Sequence, residues 1–319
     1  MRNDLWKFNL HNHNHGSWNK QETTGQHIPG PRLATASAVD AEGNFAYVFG
    51  GWDPQTPGTG GIVLEEVHKL NLQTMEWMCV TSKLPDGPTS RHVAVTLGSG
   101  SGSDNNKILI HNHRCMDHVW IFDPTTEQFT KQETTGTNPG SLGLHTATLL
   151  NESTVLVFGG ATKNGHMSNQ SYVLDMKTWN WNQVDLLDES CCPSPRAGAC
   201  LCTYNNNIAC LFGGAETSTE TGLNPKGDVW ALHLFEEEDG RNKGRWEMLL
   251  DDKKEEDTTM PEPRNAATLT KIATTLDSND EGRESSSASS KATKFLLTGG
   301  WAPFRRTWDD VFVLSIEES

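Results

Sequence analysis

The sequence predicts an all-β protein in which four-stranded sheets recur along the chain and stack around an axis. Three observations predict it. First, short apolar runs rich in β-branched and aromatic residues end on two glycines: Ala46–Gly51, Thr154–Gly160, Ile208–Gly214 and Lys294–Gly300. A fifth run, Lys107–Asn112, keeps the apolar residues but carries His111 and Asn112 where the glycines stand elsewhere. Runs of this length bounded by glycine read as buried strands and are too short for helices. Second, the positions equivalent to Gly51 fall at 51, 112, 160, 214 and 300, in steps of 61, 48, 54 and 86. Third, the same further elements follow each run, and copies that cannot cover their own apolar faces do so by stacking.

After each glycine pair comes a strand with a mostly aromatic third position and an apolar fifth. It reads Asp4–Leu10, Glu66–Leu72, His118–Asp123, Gln170–Asp175, Asp228–Leu234 and Asp310–Ile316. Alternation puts the third and fifth positions on one face. An aromatic then follows nine residues after the third position: His68 leads to Trp77, Trp120 to Phe129 and Tyr172 to Trp181. The gap is longer from Trp6 to Trp18 and from Trp230 to Trp246, where Glu236–Gly240 reads as a solvated loop. Each of these strands runs into a Gly/Pro-rich turn. Four turns end on arginine, at Arg32, Arg91, Arg196 and Arg264; the fifth, Asn138–Leu142, does not. The hexapeptide Lys20–Gly25 recurs verbatim as Lys131–Gly136, which points to duplication. A strand of small and apolar residues follows each turn, at Ala34–Val39, Val93–Leu97, Thr146–Leu150, Ala199–Tyr204 and Ala266–Thr270. Small side chains suit the crowded innermost place in a radial array. The long last step holds three insertions: the acidic loop, Asp251–Thr259 and Thr275–Thr293, the last Ser-rich and expected to be disordered over 275–293.

The glycine pair, the aromatic third position, the tryptophan of the fourth strand and the Pro-x-Arg turn together resemble kelch repeats over nearly the whole chain. The resemblance implies a single kelch-type β-propeller over 1–319. Its units are 1–32 (partial), 33–91, 92–142, 143–196, 197–264 and 265–319, the last without its outer strand. The expectation is six blades with the first truncated at its start, or alternatively a five-bladed ring closed by Ser17–Glu22. The layout of the last blade is loosely similar to the kelch effector of a late-endosomal Rab GTPase. The chain also resembles kelch substrate receptors of cullin ubiquitin ligases, although no BTB or F-box segment is present in these residues.

Composition narrows the function. Lys and Arg number 26 against 41 Asp and Glu, a net charge of −15 that argues against nucleic acid as the main partner. There is no run of 18 apolar residues and no apolar leader, so a cytoplasmic chain without membrane insertion is expected, its seven cysteines free thiols. In an up-and-down blade the arginine turns share a face with the loops after the glycine pairs. That face carries Arg32, Arg91, Arg196 and Arg264 together with Trp52, Arg114, Trp301, Phe304, Arg305, Arg306 and Trp308. Arg and Trp dominate binding interfaces, and arginine forks onto carboxylates. The expectation is a monomeric, non-catalytic interaction module or adaptor that takes another protein's acidic or carboxylate-bearing segment on this face. The competing reading makes each turn arginine a brace within its own blade. Trp18, Trp77, Trp181 and Trp246 are expected in the core.

His11, His13 and His15 alternate, as do His111, His113 and Cys115, and either set could hold zinc or nickel. No second ligand group lies at a telling spacing, so no metal or cofactor is expected. Cys200, Cys202 and Cys210 read as small core hydrophobes. Among kelch-type propellers, the copper oxidases need a tyrosine–cysteine pair, whereas Tyr47 and Tyr172 here occupy repeat positions and Tyr204 ends a strand. The alternative from another class is a propeller enzyme, epimerase- or oxidase-like, acting on a small sugar-like substrate. It requires His, Asp or Glu converging in the central channel.

Overall fold

A computed structural model describes residues 4–11, 15–55, 60–81, 83–98, 106–237, 241–252, 260–272, 292–303 and 306–317. Among these residues every regular element is a strand, and no helix is long and apolar enough to cross a membrane. Five blades follow in chain order, each written from its innermost strand outwards. The first is Ala36–Val39, Phe45–Asp53, Ile62–Asn71 and Trp77–Thr81. The second is Val93–Leu97, Lys107–His111, His118–Asp123 and Gln128–Glu133. The third is Thr146–Asn151, Thr154–Phe158, Ser171–Asp175 and Asn180–Gln183, and the fourth Cys200–Asn205, Ile208–Phe212, Val229–Glu236 and Asn242–Leu250. The fifth is Asn265–Ile272, Ala292–Ala302 and Val311–Glu317. Ahead of them, Leu5–His11 and His15–Gln21 form a two-stranded antiparallel sheet of their own among the described residues.

Register explains the nine-residue spacing. In every complete hairpin the apolar fifth position lies opposite the fourth-strand aromatic: Phe8 and Trp18, Leu70 and Trp77, Phe122 and Phe129, Leu174 and Trp181, Leu232 and Trp246. The core lies between neighbouring blades. Tyr47, Phe49 and Phe122 join the first two, and Leu109, Val155 and Trp181 the next two. Phe158, Leu211 and Trp246 join the third and fourth, and Phe212, Leu269 and Phe295 the last two. Trp77, Trp181 and Trp246 are buried as expected, but Trp18 is 41 % exposed. Among the described residues its hairpin pairs with no inner strand, and Trp18 lies against Phe8 with ring centroids 4.9 Å apart.

The innermost strands pack side by side from the first blade to the fifth, and among the described residues no comparable packing joins the fifth to the first. At their entrances five equivalent residues form an arc of backbone hydrogen bonds. Arg91 N donates to Ala34 O, Leu144 N to Arg91 O, Gly198 N to Leu144 O and Ala266 N to Gly198 O, at 2.7–2.9 Å. All five adopt left-handed φ, between 51° and 67°. The verbatim hexapeptide has one job in both copies, which is to dock the end of a unit onto the tryptophan strand of the next. Thr24 bridges to Glu76, and Thr135–Gly136 pairs in parallel with Asn180–Trp181. Its glycine is required there, since a Cβ on Gly25 or Gly136 would come within 2.2 Å of the carbonyl oxygen of Trp77 or Trp181.

The insertions differ in part from expectation. The acidic loop is partly strand, because the pairing of Val229–Glu236 with Asn242–Leu250 extends to Glu236 and Asn242; residues 238–240 lie outside the described residues. Of the stretch expected to be disordered, Ala292 and Thr293 begin a strand and the remainder lies outside the described residues. A further hairpin, Ala215–Ser218 with Gly222–Pro225, follows the fourth blade's glycine pair without having been anticipated.

Candidate partner-binding groove

Three of the turn arginines stand at one structural position. Arg196 donates through Nε to Ser194 O and through Nη1 to Gly213 O, and forks onto Asp228 at 2.6 and 2.9 Å. Asp228 also accepts from Trp230 Nε1 at 2.8 Å. Arg264 repeats the arrangement with Glu262 O, Gly299 O and Asp310, its guanidinium 4.5 Å from the centre of the Trp308 ring. Arg32 reaches Gly30 O and Gly50 O and lies 3.6 Å from Glu66. Arg196 and Arg264 are 1 % and 0 % exposed, their guanidinium groups spent on bonds within their own blades. Trp308, expected at the binding face, is likewise buried beneath Arg264.

Arg91 is not the fourth member of that set. Gly51 N donates to Thr89 O just as Gly160 N does to Arg196 O and Gly214 N to Arg264 O, so Thr89 holds the bracing position. Arg91 stands two residues further on, in the left-handed arc, where its side chain is exposed. The brace is kept or lost as a pair. The second blade has Thr89 and His118 at the two positions, and the third has Leu142 and Gln170. Gln170 O accepts from Gly159 N as Asp228 O does from Gly213 N.

With Arg91 displaced, it lines a cavity of about 670 Å³ at the mouth of the first three blades. Trp52 and Val63 wall it from the first blade, Arg91, His113 and Arg114 from the second, and Leu144 and Lys163 from the third. Among the described residues its lining includes no Asp or Glu. Arg114 is steadied by its backbone N–H donating to Asn112 Oδ1 at 2.7 Å, and its guanidinium donates to Pro88 O and to Thr89 Oγ1. Arg91 and Lys163 make no side-chain hydrogen bond or ion pair with another described residue. Burial, and then the charge of Arg114, push His113 below the usual imidazole range. Such a cavity presents fixed positive charge beside an indole and apolar surface, which suits a carboxylate on an otherwise apolar or extended segment.

Of the residues expected at a binding face, Trp52, Arg91 and Arg114 are brought together here. Trp301, 39 % exposed, lies on the fifth blade and does not line the cavity. The backbone of Arg306 pairs with Ala302, and Phe304 and Arg305 lie outside the described residues. The sequence marks His113 only as a candidate metal ligand and does not mark Lys163, although both sit in loops after a glycine-pair position and both line the cavity.

Comparisons with known proteins agree with this architecture. A sequence model of the KLHDC2/KLHL20/DRC7 kelch-repeats domain matches residues 102–270, more than half of the chain. The chain is a kelch-repeat protein. It is 26 % identical over 239 residues to kelch domain-containing protein 3 of Rattus norvegicus, a match covering 71 % of this chain and 58 % of that protein. It is 26 % identical over 214 residues to acyl-CoA-binding domain-containing protein 4 of Arabidopsis thaliana, covering 64 % of this chain and 30 % of the relative. Host cell factor 2 of Homo sapiens is 32 % identical over 143 residues, 38 % of this chain and 17 % of the relative. The kelch chain thus spans under two thirds of the length of these relatives. A solved structure titled "Structure of YjhT" superposes with a TM-score of 0.66 over 99 % of this chain and 91 % of its own, at 17 % identity, a likeness of fold.

Proposed function

We propose that this kelch propeller is a protein-interaction module that receives an acidic or carboxylate-bearing segment of a partner in the groove at the mouth of its first three blades. One observation carries the reading. In a chain of net charge −15, the described residues lining this cavity include Arg91, Arg114 and Lys163 and no acid. Charge segregated against the average of the surface steers an oppositely charged partner and sets its register. Kinship with kelch domain-containing proteins and host cell factor 2 supports an interaction role.

The alternative of a sugar-acting enzyme finds less support. The axial cavity of about 360 Å³ is lined by Ala94, Thr96, Ala147, Thr148, Cys202, Thr203 and Lys271 among others, and its described lining includes no converging His, Asp or Glu of the kind that reading requires. Lys271 Nζ there donates to Tyr204 O at 2.6 Å.

The test is a peptide array in which acidic segments are paired with copies carrying Gln for Glu and Asn for Asp. The wild type is expected to select acidic members, with affinity falling as salt rises. Arg91→Ala/Lys163→Ala is expected to lose that selection while unfolding at the same urea concentration. Equal binding of the neutral copies, or an unchanged profile for the variant, would count against the groove.

A further inference from the structure

The second blade lacks both the glycine pair and the arginine–carboxylate brace, and a different cluster stands near the vacated position. Cys115 Sγ, a ring nitrogen of His118 and a carboxylate oxygen of Asp86 lie within 4.8 Å of one another. His118 occupies the place that Asp228 and Asp310 hold in the fourth and fifth blades. It is 7 % exposed, and its Nε2 is buried without a hydrogen-bond partner, 3.8 Å from Asp86 Oδ2. The other ring nitrogen, Nδ1, is 2.6 Å from Asp117 Oδ1. A carboxylate only accepts, so Nδ1 carries the proton and Nε2 presents its lone pair to Asp86 and Cys115. This is the arrangement by which a carboxylate orients a metal-binding imidazole. Asp86 is oriented in turn by Trp120 Nε1 at 2.8 Å and Asn112 Nδ2 at 3.3 Å, and the Cys115 sulfur faces the backbone N–H of Asn112 at 3.5 Å.

We propose that Asp86, Cys115 and His118 form a zinc site that braces the second blade where its siblings use arginine and a carboxylate. One sulfur, one imidazole nitrogen and one carboxylate oxygen suit zinc better than magnesium or calcium, and water completes a tetrahedron. The Cys115 sulfur enters as thiolate as the metal binds, releasing its proton to solvent. The histidines that alternate with Cys115 in the sequence go elsewhere: His111 Nδ1 lies 3.0 Å from His145 Nε2, and His113 lines the groove. The third ligand comes instead from a turn 29 residues before Cys115. The site stands whether or not the groove has a partner.

The test uses the full chain without an affinity tag, stripped by chelation and titrated with cobalt(II) as a spectroscopic stand-in for zinc. One equivalent is expected to raise a thiolate-to-cobalt charge-transfer band that one equivalent of zinc abolishes. Cys115→Ser is expected to lose the band, and Cys79→Ser and Cys191→Ser to keep it. Asp117→Asn, which leaves all three ligands in place, is expected to weaken zinc binding about 10–100-fold. Zinc-edge X-ray absorption on the wild type needs no variant to fold, and is expected to show one sulfur at about 2.3 Å and N/O neighbours at about 2.0–2.1 Å. A zinc shell without sulfur, no stoichiometric binding, or a band that survives in Cys115→Ser would overturn the proposal.

Discussion

Replacing Arg196 by leucine isolates the brace that three blades share. The guanidinium makes two bonds to Asp228 and one each to Gly213 O, Ser194 O and Ser194 Oγ. Without it, Asp228, itself 6 % exposed, keeps only the donor of Trp230 and the surrounding backbone. Removing one partner of a buried ion pair leaves an uncompensated charge and costs about 3–5 kcal/mol. The third blade shows how to avoid that cost, because Leu142 and Gln170 stand there in place of the pair. The double variant Arg196→Leu/Asp228→Gln is therefore expected to fall within about 2 kcal/mol of the wild type, since replacing a buried pair by neutral groups is often close to neutral. Asp228→Gln alone leaves the buried guanidinium unpaired and is expected to cost about as much as Arg196→Leu, so the coupling between the two positions is at least about 4 kcal/mol. Urea unfolding of the four proteins in the cycle measures it from the midpoints at constant m. A single change costing under about 1 kcal/mol, or a double change costing the sum of the two singles, would refute the reasoning.

Other expectations follow from the same geometry. Burial holds His92 at about 3 and His145 at about 4, so both are neutral in the folded protein, and the unfolded chain binds more protons than the native one below pH 6.5. Their contribution is complete above that value and is lost as pH falls, at about 2 kcal/mol for each between pH 7 and pH 5, which unfolding midpoints across that range will show. Gly136→Ala puts a Cβ against Trp181 O at a φ of +79° and is expected to cost about 2–3 kcal/mol, whereas Gly140→Ala, with an equally positive φ but open space, costs only about 1–2. Ala34→Gly relieves a left-handed alanine in the inner arc and is expected to stabilise by up to about 1 kcal/mol, read as a small rise in the melting temperature.

Much of the fold was legible because a buried strand leaves its signature in consecutive residues. The glycine pairs marked the second strands, and the nine-residue spacing between aromatics is the register of one hairpin. Tertiary partners were less visible. Pro88-Thr89-Ser90-Arg91 looks like the other arginine turns, yet the hydrogen bond from Gly51 N to Thr89 O sets Arg91 two residues out of phase and turns a brace into a groove residue. Trp18 keeps the local pattern of a core tryptophan, but burial depends on a neighbouring blade rather than on its own hairpin. The alternation of His111, His113 and Cys115 suggested one ligand set, while the loop sends the three side chains to three different environments. Arg196 and Arg264 were as prominent as Arg91 in the sequence, and only the positions of Asp228 and Asp310 separate the buried braces from the exposed groove arginine.

The account turns on the charge of one cavity. Its most direct measurement is fluorescence anisotropy of the Arg91→Glu/Lys163→Glu variant with the best acidic peptide from the array and with a copy in which Lys replaces each acid. Reversing two charges is expected to weaken the acidic peptide by at least about 100-fold, or about 2.7 kcal/mol, and to improve the lysine copy. Equal affinity of wild type and variant for the acidic peptide would contradict it.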